Sequence, residues 1–362
     1  MKFQGTKVSL GLVLSGALLL GACTSPEPTE PEDTASGSAS ATASASSSEG
    51  AGGDAAAGCL QDVGITETTD GEVRYTAGPG EWNGYNTITN ATYSTYNSVI
   101  AAHQFSSFYY FGTDGTICEN TDFGSFEVTS EDPLTVKYTI NEEAVWSDGT
   151  PVTINDYLLE WASQNPEFIA PGFASGENPD AEAVFDHVST SFAQYMPEGP
   201  EGELGSKEFT VVYTNPNPDY KIIIGTAMPE HVVAAQSGLE PGGLAQAILD
   251  RDADVVKSAA EFWNTGWIFN PGELPEAEIV PSSGPYVLKA DGWQAGNSLT
   301  LTANENYWGT PPATKDLVFR FIDDAQQVQA LGNKDVQVIQ PQATVDTVGQ
   351  LEGLGSAVTI ET

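Results

Sequence analysis

Leu134, Val136, Tyr138 and Ile140 are separated by Thr135, Lys137 and Thr139. One face of this segment is therefore apolar and the other polar, which predicts a half-buried strand. Phe209–Tyr213 and Leu299–Ala303 alternate in the same way. Leu317–Ile322 is apolar on both faces except at Arg320, the pattern of a strand covered on both sides. The period changes at Thr153. Thr153-Ile154-Asn155-Asp156 reads as an N-cap with an acid at the third helical position, opening a helix through Tyr157, Leu158 and Trp161. Pro229 opens a short helix carrying Val232, Val233 and Ala235. Asp324 is expected to cap a helix over Gln326–Leu331. Strands and helices alternate without a regular βαβ rhythm, and no internal repeat is present.

The first segment follows a different pattern. Lys2 and Lys7 precede an apolar run, Val8–Ala22, of 15 residues. This run is too short to cross a hydrocarbon core of about 30 Å as a helix, and it has the form of a signal-peptide core. It ends in Leu20-Gly21-Ala22-Cys23, which resembles a bacterial lipobox, with Cys23 as the residue that would carry the lipid. From Thr24 to Gly58 the chain has no aromatic and no large aliphatic residue. Such a segment cannot bury a core and is expected to be a tether, with an r.m.s. span of roughly 30–35 Å. Residues 1–22 are thus read as a signal peptide and 23–58 as lipidated cysteine plus tether. An extracytoplasmic compartment is oxidising, so the two remaining cysteines, Cys59 and Cys118, are a candidate disulfide.

Charge narrows the function classes. The 362 residues contain 12 Lys+Arg against 50 Asp+Glu, a formal net charge of −38. With only three arginines, Arg74, Arg251 and Arg320, the chain lacks the basic clusters that neutralise phosphates, which argues against nucleic acid as a partner. It also argues against electrostatic docking on anionic lipid, leaving the Cys23 anchor as the membrane contact. Catalytic signatures are missing: there are three histidines and no His-Glu-x-x-His, Gly-x-Ser-x-Gly or phosphate-loop pattern. Asp250, Asp252, Asp254 and Glu261 fall at four ligand positions of an EF-hand loop, but Val255 stands where the sharp turn needs glycine. They are read as an acidic helix surface, and neither a metal nor a cofactor is expected.

The most informative stretch is Trp146-Ser147-Asp148-Gly149-Thr150-Pro151-Val152-Thr153-Ile154-Asn155-Asp156. Taken alone it is a strand, a tight Asp-Gly turn and a capped helix. Its wording resembles the signature of the family 5 extracellular solute-binding proteins, the oligopeptide-, dipeptide- and nickel-binding components of ABC importers. Ile154 and Tyr157 replace the usual Ala and Val. Four further segments occur in the order of that family: Met228-Pro229-Glu230-His231-Val232, Ser282-Ser283-Gly284-Pro285-Tyr286-Val287, Leu299-Thr300-Leu301 with Asn304-Glu305-Asn306-Tyr307-Trp308-Gly309, and Leu331-Gly332-Asn333-Lys334-Asp335-Val336.

The resemblance implies an α/β fold: a periplasmic-binding-protein-like two-lobed clamp of type II, cluster C-like with an extra domain. Its C-terminal lobe would be incomplete, because family members continue well past residue 362. Domain I would comprise 59–93 and 209–322, domain II 94–207, and domain III would begin at 323. The implied protein is not an enzyme. It is a monomeric lipoprotein on the outer face of the cell membrane, or in the periplasm, that delivers oligopeptides or dipeptides to an ABC permease and ATPase. A surface peptide-sensing or interaction lipoprotein on the same fold, or a secreted acidic hydrolase, remain alternatives. By position, Asn90, Ala91, Thr92 and Tyr93 would form the first cleft loop, with Phe173, Trp263 and Trp267 as further cleft-lining candidates. Trp146, Tyr286, Tyr307 and Trp308 are assigned to the fold.

Overall fold

The computed structural model describes residues 59, 64–112, 115–172, 177–178, 182–217 and 219–360. The signal segment, Cys23, the tether and Phe173 lie outside the described residues. Among the described residues ten strands form three sheets. In chain order they are β1 (Thr69–Gly78), β2 (Tyr109–Phe111), β3 (Ile117–Glu119), β4 (Gly124–Glu131), β5 (Leu134–Ile140), β6 (Glu208–Val212), β7 (Tyr286–Gln294), β8 (Ser298–Ala303), β9 (Thr314–Phe321) and β10 (Val338–Ile339). The largest sheet has the order β10-β1-β9-β8-β7, with β1 parallel to both its neighbours and β7-β8-β9 antiparallel. β4-β5-β6 is an antiparallel sheet, and β2-β3 is a hairpin.

Alternation places the core. β5 buries Leu134, Val136, Tyr138 and Ile140 and leaves the residues between them half-exposed. Across the ladder Tyr138 pairs with Phe209, and their rings stack at 5.1 Å. β9 starts three residues earlier than the apolar run suggests, and only Phe319 in it is fully buried. Its apolar residues are otherwise half-covered, so the expectation of burial on both faces is corrected.

Two expected domain boundaries cut through sheets. β6, expected to open the second stretch of domain I, hydrogen-bonds to β5, expected in domain II. β10, expected inside domain III, extends the sheet of β1 through Tyr75↔Val338 and Thr76↔Ile339. In both cases strand pairing satisfies backbone groups that a boundary would leave open. Asp324 is also corrected. A 3₁₀ turn, Asp324–Gln326, precedes the helix Gln327–Gly332, and the Asp324 carboxylate accepts from the side chain of Gln327 rather than from a helix amide.

Helix α1 (Thr95–Gln104) and helix α2 (Ile154–Ser163) flank the sheets. α2 opens with a complete capping box: Thr153 Oγ1 accepts from the Asn155 amide, and Asp156 Oδ2 accepts from the Thr153 amide at 2.9 Å. The other oxygen of Asp156 accepts the Glu230 amide at 2.9 Å, 74 residues away, at the first turn of the helix Glu230–Gln236. The Glu230 carboxylate in turn accepts the amides of Gly242 and Ala245, at the start of the helix Gly243–Leu249. Two carboxylates therefore cap helices in relay, each serving amides that have no partner inside a helix.

The sequence motifs meet around the turn at Ser147. The Ser147 amide donates to Ser282 O at 2.8 Å, and the Ser282 amide returns a bond to Ser147 Oγ at 3.0 Å. Asn306 donates to Ser147 O, and the Trp308 indole to Val145 O. Asn304 binds Gly284 O and Pro285 O. His231 Nε2 lies 2.9 Å from Asp148 Oδ2. Gly149 completes the turn at φ 89°, and a Cβ on Gly284 would sit 2.8 Å from the Gln104 carbonyl carbon.

Burial pushes the Asp156 carboxyl up to about 6, although two amides and His231 oppose it. Half-burial works the same way on Asp148, but there the His231 bond and the Thr150 amide prevail and hold it down at about 2. Asp156→Ala orphans two buried amides and is expected to lower unfolding free energy by on the order of 2–5 kcal/mol. A loss under about 1 kcal/mol in denaturant titration would show that the relay is incidental. The pH dependence has a definite sign. Folded Asp156 titrates near 6 against an ordinary value of 3.8. The folded chain therefore keeps a proton that the unfolded chain has released, and this contribution to stability declines as pH rises through that window. Asp156→Asn does not titrate, so the stability advantage of wild type over it should shrink between about pH 4 and pH 6.5. A constant difference would contradict the assignment.

Candidate ligand-binding site

The loop before α1 is built by short-range polar bonds. Ser94 caps α1 by accepting from the Asn97 amide. Asn97 is fully buried, and its amide group donates to Thr92 O and to Asn83 Oδ1, both at 2.6 Å. Thr92 is buried, with its hydroxyl against Thr89 Oγ1 at 2.7 Å and against Asn86 O. The Thr92 and Tyr93 amides both donate to Thr89 O. The loop is thereby wound into a tight turn whose outer face carries Asn90, Ala91 and Tyr93, the last 65% exposed.

A second loop locks it from behind. The Asn90 amide and side chain both donate to the Asp186 carboxylate. The Val188 amide donates to Ile88 O at 2.9 Å. Asp186 is itself fixed, its amide donating to Asn264 Oδ1 at 2.7 Å and its carbonyl accepting the Trp263 indole N–H at 3.2 Å. Trp267 donates to Ile279 O at 2.6 Å, and its own carbonyl accepts the Tyr85 amide.

The predicted site residues thus separate. Asn90, Ala91 and Tyr93 share one exposed face, while Thr92 points its polar atoms inward and acts as scaffold. Trp263 and Trp267 are 0% and 1% exposed, in contact with each other and with Phe185, Tyr85 and Phe262. They support the loop and present no ring to a ligand, a correction whose cause is the capture of both indole N–H groups by backbone carbonyls. Cys59 and Cys118 are joined in a disulfide with Cα atoms 5.7 Å apart, which ties the segment before β1 to β3. Among the described residues no group of three or more His, Cys, Asp or Glu is placed to hold a metal ion. Asp252 of the EF-hand-like run caps the helix Ala253–Glu261 by accepting the Val255 amide.

A cavity of about 250 Å³ adjoins the loop, between Thr87–Ile88, α1, Glu160 of α2 and Met228. Larger hollows, of about 1010 and 810 Å³, lie beside Lys289–Asp291 and beside Arg320–Asp323. None of the three is lined by Asn90–Tyr93; the smallest comes nearest to that loop along the chain, through Thr87 and Ile88. Sequence reasoning missed Glu160 and Met228. One signal was available: Glu160 is an acid inside the otherwise apolar stretch Tyr157–Ala162.

Comparison with known proteins agrees with this architecture. A family model described as bacterial extracellular solute-binding proteins, family 5 middle, matches residues 124–358. An uncharacterized lipoprotein of Mycobacterium leprae (strain TN) is 30% identical over 270 residues, 74% of this chain and 45% of its own length. The oligopeptide-binding protein OppA of Mycobacterium tuberculosis (strain ATCC 25618 / H37Rv) is 28% identical over 226 residues, 62% of this chain and 31% of its own. Among solved structures, the periplasmic EDTA-binding protein EppA superposes with a TM-score of 0.61 at 27% identity, over 83% of this chain and 49% of that one. The oligopeptide-binding protein AppA of Bacillus subtilis, solved with a nonapeptide, gives 0.52 at 14% identity, over 78% and 46%. The chain spans less than half the length of each of these relatives.

Asp186→Ala removes both anchors of Asn90. It is expected to speed amide hydrogen exchange across 89–93 at least tenfold while leaving β5 and β8 unchanged. Equal protection in the variant would show that the loop is held by its own turn alone.

Proposed function

Since the chain belongs to the bacterial extracellular solute-binding proteins of family 5, we propose that it captures oligopeptides or dipeptides outside the cell and hands them to an ABC permease and its ATPase. The observation that carries this reading is the exposed Asn90–Tyr93 loop, locked from behind by Asp186. A rigid loop edge with an exposed outer face suits an extended peptide, which it can hold while tolerating varied side chains. The relatives named for oligopeptide binding support the same ligand class.

The proposed protein works by binding and release, without turnover and as a monomer. Closure about a hinge traps the ligand and offers the closed form to the permease. Cys23 carries the lipid that keeps the body at the outer face of the membrane, and 24–58 is the tether.

Thermal unfolding of the full chain with pools of peptides, sugars and nickel salts tests the ligand class. A ligand at 100 times its Kd that binds only the folded state adds about 2.7 kcal/mol, a readily measured rise in Tm. Stabilisation by peptide pools alone is expected. Stabilisation by sugars or nickel with none by peptides would overturn the peptide assignment. Cys23→Ala is expected to abolish lipid labelling and release the chain from membranes. Retained labelling would remove Cys23 as the anchor.

A further inference from the structure

Arg320 stands without a counter-charge in a chain rich in acids. It is one of three arginines against 50 Asp+Glu. Arg74 lies 3.6 Å from Glu72 and donates to Lys334 O, and Arg251 lies 3.6 Å from Glu198 and over the rings of Trp161 and Phe168. Arg320 alone of the three has no hydrogen-bond or ion-pair partner among the described residues. The residue is half-exposed: its Nε is covered, and its two terminal amino groups are open to solvent. Their direction follows from the strand. Phe319, the preceding residue of β9, packs its ring against His103 of α1 at 5.5 Å. Side chains alternate along a strand, so Arg320 leaves the sheet on the face away from α1. Of the two spaces that Arg320 borders, the one lined by α1 holds only about 10 Å³, and the other is the hollow of about 810 Å³. That hollow is lined by Pro79 and Glu81, just past β1, and by Arg320–Asp323 at the end of β9. β1 and β9 are parallel, so the hollow lies at their carboxyl ends, where parallel strands hold ligands.

The rest of the lining narrows the ligand. Three acids border the same hollow, Glu81, Asp323 and Asp335, and none of them pairs with Arg320. Glu81 is committed elsewhere: its Oε1 accepts the Trp293 indole N–H at 2.9 Å and the Gly296 amide at 3.0 Å. Asp323 and Asp335 are exposed, as are Gln326, Gln329 and Asn333 beside them. Gln327 has a buried oxygen without a donor, but it does not line the hollow, and its amide group is spent on Asp324. A guanidinium fork held clear of its neighbouring acids matches a planar carboxylate. A phosphate fits less well, because it brings a second negative charge to a lining of three acids and one base. The same excess of acid attracts an ammonium. We propose that this hollow is a subsite for a zwitterion, with Arg320 clamping its carboxylate and Asp323 and Asp335 facing its ammonium. The volume is in the range of small-ligand sites. The inference deepens the proposed function and rests on the reading of the chain as a solute-binding protein: the favoured ligands are short peptides or amino acids with both ends free.

The test uses the full chain and trialanine, with trialanine amide, N-acetyl-trialanine and inorganic phosphate as controls. The readout is the NMR signal of the Trp293 indole N–H, which is bonded to Glu81 in the wall of the hollow. A saturable shift with trialanine, at least tenfold weaker binding of either blocked form and no shift with phosphate are expected. Arg320→Gln should weaken trialanine at least tenfold. Arg320→Lys, which keeps the charge and loses the fork, should weaken it less. The comparison of acid with amide needs no variant, and it keeps the test decisive if R320Q fails to fold. Equal affinity for trialanine and either blocked form, phosphate binding as tight as trialanine, or unchanged affinity in a folded R320Q overturns the subsite. So does the absence of a saturable shift with both trialanine and alanine up to their solubility. Peptide pools with free carboxyl ends, and the same pools amidated, separate the two proposals. Equal stabilisation by both sinks the subsite and leaves the peptide reading intact. Arg320-dependent binding of alanine with no stabilisation by any peptide pool sinks the peptide reading alone.

Discussion

A carboxylate buried away from water must be surrounded by donors, and the Asp156 carboxylate finds its two in backbone amides 74 residues apart. One belongs to its own helix and the other opens the helix Glu230–Gln236, so a local cap becomes a tertiary bond. Glu230 repeats the arrangement for the helix that follows. Three helix starts are thereby fixed to one another through groups that every helix leaves open. Burial raises both acids toward their neutral forms, and the amides oppose it. The network is held by a balance between desolvation and capping.

The same economy explains the spacing of the recurring motifs. The turn at Ser147–Gly149 lies on no long strand and buries little surface, yet segments near residues 231, 282 and 306 all end on it. Ser282 and Asn306 bond the backbone of Ser147, the Ser282 amide also bonds the Ser147 hydroxyl, and His231 bonds the Asp148 carboxylate. Such bonds are worth about 0.5–1.5 kcal/mol individually, but together they fix where the β7-β8-β9 sheet stands relative to the β4-β5-β6 sheet. The rigidity of the cleft loop follows from comparable bonding. Its inner residues are saturated with hydrogen bonds, and only Asn90, Ala91 and Tyr93 are left to face outward.

Much of this was legible in the chain. Period-two alternation located β5, β6 and β8, because a half-covered sheet requires it. Thr153 and Asp156 announced α2, because a capping box is a local object four residues long. Its second bond, to Glu230, was invisible for the opposite reason: nothing in a sequence marks which distant amide will fill a free carboxylate lone pair. The two tryptophans before the Ser-Gly-Pro-Tyr segment show the same limit. A tryptophan reads alike whether it lines a cleft or a core, and only the position of a carbonyl opposite its N–H decides.

By itself the sequence determined the family, the alternating strands, the capped helix and the candidate cysteine pair. Each depends on neighbours along the chain, on composition or on an ordered string of motifs. Tertiary structure decided that β6 pairs with β5 and that β10 extends the sheet of β1. It also decided that Trp263 and Trp267 are scaffold, and that Arg320 stands at the ends of β1 and β9 with no acid paired to it. These are matters of which groups exhaust one another's hydrogen-bonding capacity, and that accounting closes only when residues far apart in sequence have been brought together.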